Sequence, residues 1–157
     1  MARDRLTSIL VPVDDSEGAS RAAHFAGKLA ADLGVELQLI HVFRRDAGDS
    51  FATQYLGTNE KKSDHMGVDV FAELEHKKSR GIFKQAKKQL DRLTGLKIKE
   101  VLLQGDAAAA ILDYAGKQKS PLIVVGRRGK SELSELLMGS VSQELVHEAE
   151  CPVTVVN

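Results

Sequence analysis

Five short apolar runs, separated by segments of helical period, leave few folds open to this chain. The runs are Ile9-Leu10-Val11-Pro12-Val13, Leu37-Gln38-Leu39-Ile40-His41-Val42, Ile98 to Leu103, Leu122-Ile123-Val124-Val125 and Val153-Thr154-Val155-Val156. Most are near-continuous and rich in β-branched residues, with little alternation. That is the pattern of strands buried on both faces of a parallel sheet.

Four segments between them read as helices. The first spans about Ser16 to Leu33, with Ser16 as N-cap and Gly34 as the closing glycine. Ala22, Phe25, Ala26, Leu29 and Leu33 form its expected apolar stripe. The second covers roughly Phe71 to Leu93, with Phe83, Ala86, Leu90 and Leu93 inward and Lys84, Lys87, Lys88 and Arg92 largely outward. The third follows Gly105-Asp106 and carries Ile111, Leu112 and Ala115. The fourth runs from Ser140 to about Glu148, and Pro152 then opens the last strand. The order β-α-β-α-β-α-β-α-β predicts an α/β fold: an open, doubly wound, five-stranded parallel sheet with helices on both faces.

The length of 157 residues predicts a single domain over 1–157. There is no internal repeat. One connection, residues 44–70, is long for a compact domain. It contains Phe51, Tyr55, Leu56 and Met66, and reads either as a cover folded over the domain or as a loose loop.

The formal net charge is zero, with 22 basic and 22 acidic residues. Nothing supplies the positive field with which nucleic-acid binders neutralise phosphates, so no nucleic-acid partner is expected. Residues 44–100 alone carry 13 basic and 9 acidic side chains, which reads as a solvated helix face or as a docking face for an acidic partner. No apolar run approaches the ~20 residues of a membrane span, so no membrane insertion is expected. Met1-Ala2-Arg3-Asp4-Arg5 does not read as a signal peptide. The one cysteine, Cys151, excludes a disulfide framework and fits a cytoplasmic protein.

Ligands of doubly wound sheets bind beyond the carboxyl ends of the strands, where the strand order reverses. The first strand ends in Pro12-Val13-Asp14-Asp15-Ser16. An acid there either accepts a hydrogen bond from a ribose hydroxyl or caps the next helix together with Ser16. The fourth strand runs into Gly126-Arg127-Arg128-Gly129-Lys130-Ser131, and Gly139-Ser140-Val141-Ser142 opens the last helix. Gly126 and Gly129 permit positive φ and close backbone approach, so that N–H groups can converge on an anion. The start of the last helix offers a second anion site, unless Ser140 and Gln143 close it as a capping box.

Two other readings fail. Gly129-Lys130-Ser131 ends like a P-loop, but the glycine required five positions earlier is Val124. No Gly-x-Gly-x-x-Gly is present, against an ordinary dinucleotide site. No His-Glu-x-x-His and no cysteine pair suggest a metal site. His41 reads as core or rim, and Cys151 as packed.

The spacing Gly126-x2-Gly129-x9-Gly139-Ser140 resembles the ATP-binding pattern of the universal stress protein family. Ile9 to Asp14, Ile40-His41-Val42 and Glu150-Cys151-Pro152 with the closing valines resemble it too, so the likeness covers nearly all of the chain outside 44–70. The resemblance implies strand order 3-2-1-4-5. It implies that Pro12, Val13 and Val42 line an adenine pocket, and that Asp14 and the backbone at Gly126 hold the ribose. It implies that Gly129, Gly139, Ser140, Val141 and Ser142 bind phosphates through N–H and hydroxyl donors. Arg127 and Arg128 depart from the family pattern; Arg127 is expected in solvent, and Arg128 either in solvent or on a phosphate.

The function implied is that of an ATP-binding stress-response regulator, with magnesium arriving on the nucleotide and a regulated protein partner that the sequence does not name. No catalytic residue is assigned. A nucleotide-processing enzyme of related fold would carry His-x-Gly-His or Ser-Gly-Gly-x-Asp-Ser near the first strand, and this chain does not. An interaction module without nucleotide is the alternative that the intact glycine pattern weighs against. The final strand lies at a sheet edge in the implied order and has no lysine or internal proline to guard it, so a homodimer through that strand is expected.

Overall fold

The computed structural model describes residues 5–44, 64–129 and 137–157, with side chains of the second helix from residue 73 onward. The elements are β1 (Ser8–Pro12), α1 (Glu17–Leu33), β2 (Glu36–Phe43), α2 (Asp64–Lys88), β3 (Ile98–Gln104), α3 (Ala107–Gly116), β4 (Pro121–Gly126), α4 (Ser140–Glu148) and β5 (Val153–Val156). The strands form one sheet in the order β3-β2-β1-β4-β5, and every neighbouring pair is parallel. Fold class and strand order are those the sequence led us to expect.

Successive side chains of a strand point to opposite faces, so each central strand feeds two cores. Ile9, Val11, Leu37, Leu39, Leu122 and Val124 pack under α1 and α2. Leu10, Ile40, Val101, Ile123 and Val125 pack under α3 and α4. Both faces being covered explains why the runs lack alternation.

Several details differ from expectation. Phe25 and Leu33 of α1 are about two-fifths exposed, and its buried face is Gly18, Ala19, Ala22, Ala23, Ala26, Gly27 and Ala30. The helix lies close to β1 and β4, and small residues permit that approach where larger ones would not fit. α2 begins at Asp64, earlier than the expected Phe71, through a stretch whose Gly67 and β-branched residues are weak helix formers. It ends at Lys88, after which i→i−3 bonds from the amides of Gln89, Leu90 and Leu93 turn the chain, and Leu90 stays buried. β3 is an edge strand with only Val101 buried, so its run does not behave as a covered strand. Of the basic residues on α2, Lys87 pairs with Glu100 of β3. Phe51, Tyr55 and Leu56 lie outside the described residues. Among the described residues, no helix is long and apolar enough to cross a membrane.

The caps follow the sequence closely. Ser16 is the N-cap of α1, its Oγ accepting the Ala19 N–H at 3.1 Å. Gly34 closes the helix at φ 65°, a left-handed conformation that suits glycine. Asp106 caps α3 by accepting the Ala109 N–H at 3.1 Å.

One sheet feature positions everything that follows. β1 pairs with β2 through Pro12↔Ile40, but with β4 only as far as Leu10↔Ile123. The Val13 N–H donates to Ile40 O at 2.7 Å. Strand N–H groups alternate sides, so residue 12 would donate toward β4, and proline has no N–H to give. The β1–β4 ladder stops there, and the two strand ends part.

The α1 packing is testable. Ala26→Leu should destabilise the fold by about 1–3 kcal/mol through overpacking, whereas Phe25→Ala should cost about 1 kcal/mol or less, since its ring is half in water. Urea unfolding measures both, and the reverse ranking would refute this packing.

Candidate functional site

A cleft of about 220 Å³ opens where β1 and β4 part. Its wall is built at the carboxyl ends of the strands. Pro12, Val13 and Asp14 come from the end of β1, and Val42 from β2. Gly126, Arg128 and Gly129 come from the exit of β4, and Gly139, Ser140, Val141 and Ser142 from the start of α4. All eleven residues singled out in the sequence therefore line one cleft. Seven more complete it: Ser16, Ala19, Ile40, His41, Ala107, Ile111 and Val125. Ala107 and Ile111 were not legible, because only the tertiary fold brings the first turn of α3 over the end of β2. Arg127 does not line the cleft.

Asp14 was open between ribose acceptor and helix cap. Ser16 performs the capping, and Asp14 Oδ1 accepts the Ser16 N–H at 2.8 Å in an Asx-type turn. This bond orients the carboxylate. Its second oxygen faces the β4 loop, where a Cβ on Gly129 would stand 3.2 Å from Oδ2.

The glycines act through close approach, not through positive φ. Among described glycines only Gly34, Gly95 and Gly105 have positive φ, so that expectation for Gly126 and Gly129 is corrected. A Cβ on Gly126 would lie 2.6 Å from both the carbonyl carbon and oxygen of Gly18. No residue larger than glycine fits that contact without moving backbone.

At α4 the capping box does not form. Gly139 is the N-cap, at φ −64° and ψ 152°, and Ser140 is already the first helical residue. A glycine has no side chain to bond the first-turn N–H groups, so those at Val141 and Ser142 receive no cap from it. The Gly139 N–H itself donates to Arg127 O at 2.8 Å. The buried Ser142 hydroxyl has two carbonyl acceptors, Arg127 O at 2.8 Å and Gly139 O at 2.9 Å. That hydroxyl thus ties the exit of β4 to the start of α4. The Ser142 hydroxyl is thus engaged with two carbonyls in this structure.

His41 is buried and accounts for a carbonyl at the cleft floor. Its Nδ1 lies 3.0 Å from Val13 O. A carbonyl only accepts, so Nδ1 carries the proton and donates. The ring also meets Phe83 edge-on, with centroids 6.4 Å apart. Cys151 is remote from the cleft. Burial pushes its thiol up from the usual range, with its own N–H and that of Ile123 pulling weakly the other way. It is partly buried against the core under α3 and α4. Among the described residues, no group of three or more His, Cys, Asp or Glu side chains is gathered for a metal.

The profile of the universal stress protein family matches residues 6–157. A universal stress protein of Thermus aquaticus is 34% identical over 151 residues, covering 95% of this chain and 97% of that protein. Among solved structures, the universal stress protein UspA from Lactobacillus plantarum superposes with a TM-score of 0.75 at 26% identity, covering 99% of this chain and 100% of that one. A universal stress protein solved in complex with cAMP superposes with a TM-score of 0.70 at 23% identity, covering 98% of each.

The role of the Ser142 hydroxyl can be checked directly. Ser142→Ala should lower stability by about 1 kcal/mol in chemical denaturation, because a buried bond to two loop carbonyls is lost. A variant as stable as the parent would remove the hydroxyl from this structural role.

Proposed function

The chain belongs to the universal stress protein family, and we propose that it binds ATP in the cleft between β1 and β4, acting as a nucleotide-dependent regulator in the cytoplasm. The observation that carries this reading is the convergence of an oriented carboxylate, a helix start with glycine as its N-cap and an apolar floor in one crevice. In the related protein solved with cAMP, the same fold is found with an adenine nucleotide.

Each part of the cleft suits one part of the ligand. Val13, Ile40 and Val42 offer an apolar surface for adenine, with Pro12 beside them. Asp14 Oδ2 accepts from a ribose hydroxyl while Oδ1 keeps the carboxylate aimed. The first turn of α4 presents N–H groups and the positive end of the helix dipole to phosphate. Gly126 and Gly129 let the β4 loop approach with backbone alone, and Arg128 adds positive charge at the rim. The nucleotide supplies the negative charge that the helix end attracts; magnesium would be held mainly by its phosphates.

The cleft suits binding better than chemistry. Asp14 is the one carboxylate that lines it among the described residues, and its Oδ1 is committed to Ser16. The His41 Nδ1 proton is committed to Val13 O. These commitments support our reading of a regulatory role for one domain over 1–157, signalling nucleotide occupancy to a protein partner.

The same reading includes a homodimer through β5. This strand pairs with β4 on one side, and its valines are only half-buried. Antiparallel pairing with a second copy would satisfy its outer N–H and C=O groups and cover the valines.

Three experiments test these readings. Protein purified without added nucleotide should release adenine nucleotide on denaturation, identified by mass spectrometry. In calorimetric titration, Asp14→Ala should weaken ATP binding at least tenfold, about 1.4 kcal/mol, and Asp14→Asn less. No binding by the parent protein, or equal binding by all three, would reject the site. Light scattering should give a dimer, and Val155→Pro a monomer or precipitate; a monomeric parent at micromolar concentration would reject the β5 interface.

A further inference from the structure

We propose that Gly18 is a positioning residue of this cleft: the absence of a side chain there lets the carbonyl of Arg128 rest on the first turn of α1, and that contact sets the gap between Asp14 and Gly129. The inference rests on the nucleotide reading above.

Glycine is a poor helix residue, and Gly18 stands inside α1, fully in the buried face. Its use is visible in the contacts. A Cβ on Gly18 would stand 2.3 Å from Arg128 O and 3.5 Å from Arg128 C. The contact is reciprocal, since a Cβ on Gly126 would strike the Gly18 carbonyl. Two backbones therefore touch with no side chain between them. The glycine at Gly81 of α2 is different, because a Cβ there would meet nothing within 4 Å.

The obstacle at Gly18 is a backbone oxygen, so no rotamer change can relieve it. The neighbouring peptide is also held. Arg127 N–H donates to Val156 O at 2.8 Å, and Arg127 O accepts from Gly139 and Ser142. A side chain at position 18 must therefore move α1 away from the β4 loop, or displace Arg128 and Gly129.

Those two bodies carry the two halves of the site. Asp14 belongs with α1, through its bond to the Ser16 N–H two residues before Gly18. Gly129 belongs with the β4 loop. Their separation at Asp14 Oδ2 is the span across which one nucleotide must engage a carboxylate on one side and loop backbone on the other. Widening it by a methyl group's width breaks the simultaneous fit.

The test is a double-mutant cycle read by ATP titration calorimetry. Gly18→Ala should weaken ATP binding at least tenfold in the parent, but less than threefold in an Asp14→Ala background, because the gap then has no carboxylate to place. Gly81→Ala, the control, should stay within twofold of the parent. Failure of the parent to bind ATP rejects the nucleotide reading, and the positioning role with it. A parent that binds while Gly18→Ala binds equally well, or losses that simply add, overturns the Gly18 proposal alone. Where Gly18→Ala does not fold, or Asp14→Ala binds too weakly to titrate, amide exchange on the unmodified protein decides. ATP should slow exchange at the Ala19 amide at least threefold, through the loop resting on that turn, and an unchanged rate overturns the proposal.

Discussion

The parting of β1 from β4 is the constraint on which the site depends. In the order β3-β2-β1-β4-β5, the chain leaves β1 for β2 on one side and later returns to β4 on the other. Crossover helices then cover opposite faces, and neither covers the carboxyl end of the junction. Topology alone would give a shallow notch. Pro12 deepens it by ending the hydrogen-bond ladder toward β4 while the ladder toward β2 continues to Ile40 and Val13. A proline in a central strand usually counts against the strand. Here it falls where a missing N–H opens a space, and the bonded side of the strand keeps β1 in the sheet.

A crevice formed in this way needs walls that hold their shape without filling it. The protein achieves this with backbone and with short side chains. α1 presents alanine and glycine to β1 and β4, so the helix sits close enough for Gly18 to touch Gly126 and Arg128. The Ser142 hydroxyl and the Gly139 N–H converge on Arg127 O and lock the two glycine-bearing segments together. His41 braces the end of β1 from beneath by donating to Val13 O. None of these bonds lies on a long side chain, so the described walls are held by backbone and short groups, and pre-organisation of that kind lowers the entropy that binding must offset.

The sheet and its site were legible to different degrees, for physical reasons. Buried parallel strands write a dense β-branched run into the sequence, so the five strands and their order with the helices could be read. Glycine spacing marked the cleft, since glycine is otherwise costly in ordered backbone. What glycine does there was not readable. Positive φ and close approach leave the same letter in the sequence, and only the distance from Gly126 to Gly18 separates them. The face of α1 was read correctly at Ala22, Ala26 and Leu29 and wrongly at Phe25 and Leu33. Hydrophobic size favours Phe25 and Leu33, but proximity to the sheet selects the small residues Ala19, Ala23, Gly27 and Ala30 beside that stripe. The capping box at Ser140 matched in letters and failed in register, because Gly139 already serves as N-cap. Helix boundaries one residue apart are invisible to composition, yet they decide which groups are available.

That one-residue shift determines the chemistry open to the cleft. Were Ser140 the cap, its hydroxyl would be directed at the N–H groups of its own helix, and an anion would have to compete with it. With glycine at the cap, the helix start keeps its dipole and its amide hydrogens toward the crevice. The hydroxyl of Ser142 faces the other way, onto carbonyls, and so lends no nucleophile to the crevice. The Asp14 carboxylate is similarly divided, one oxygen for the turn and one for the cleft. Groups with this much structural commitment hold a ligand in place at little reorganisation cost. Among the described residues that line the cleft, Asp14 is the one carboxylate, and only its Oδ2 is left to face inward. The hydrogen bonds that hold the crevice walls are therefore the same ones that decide which groups face into it.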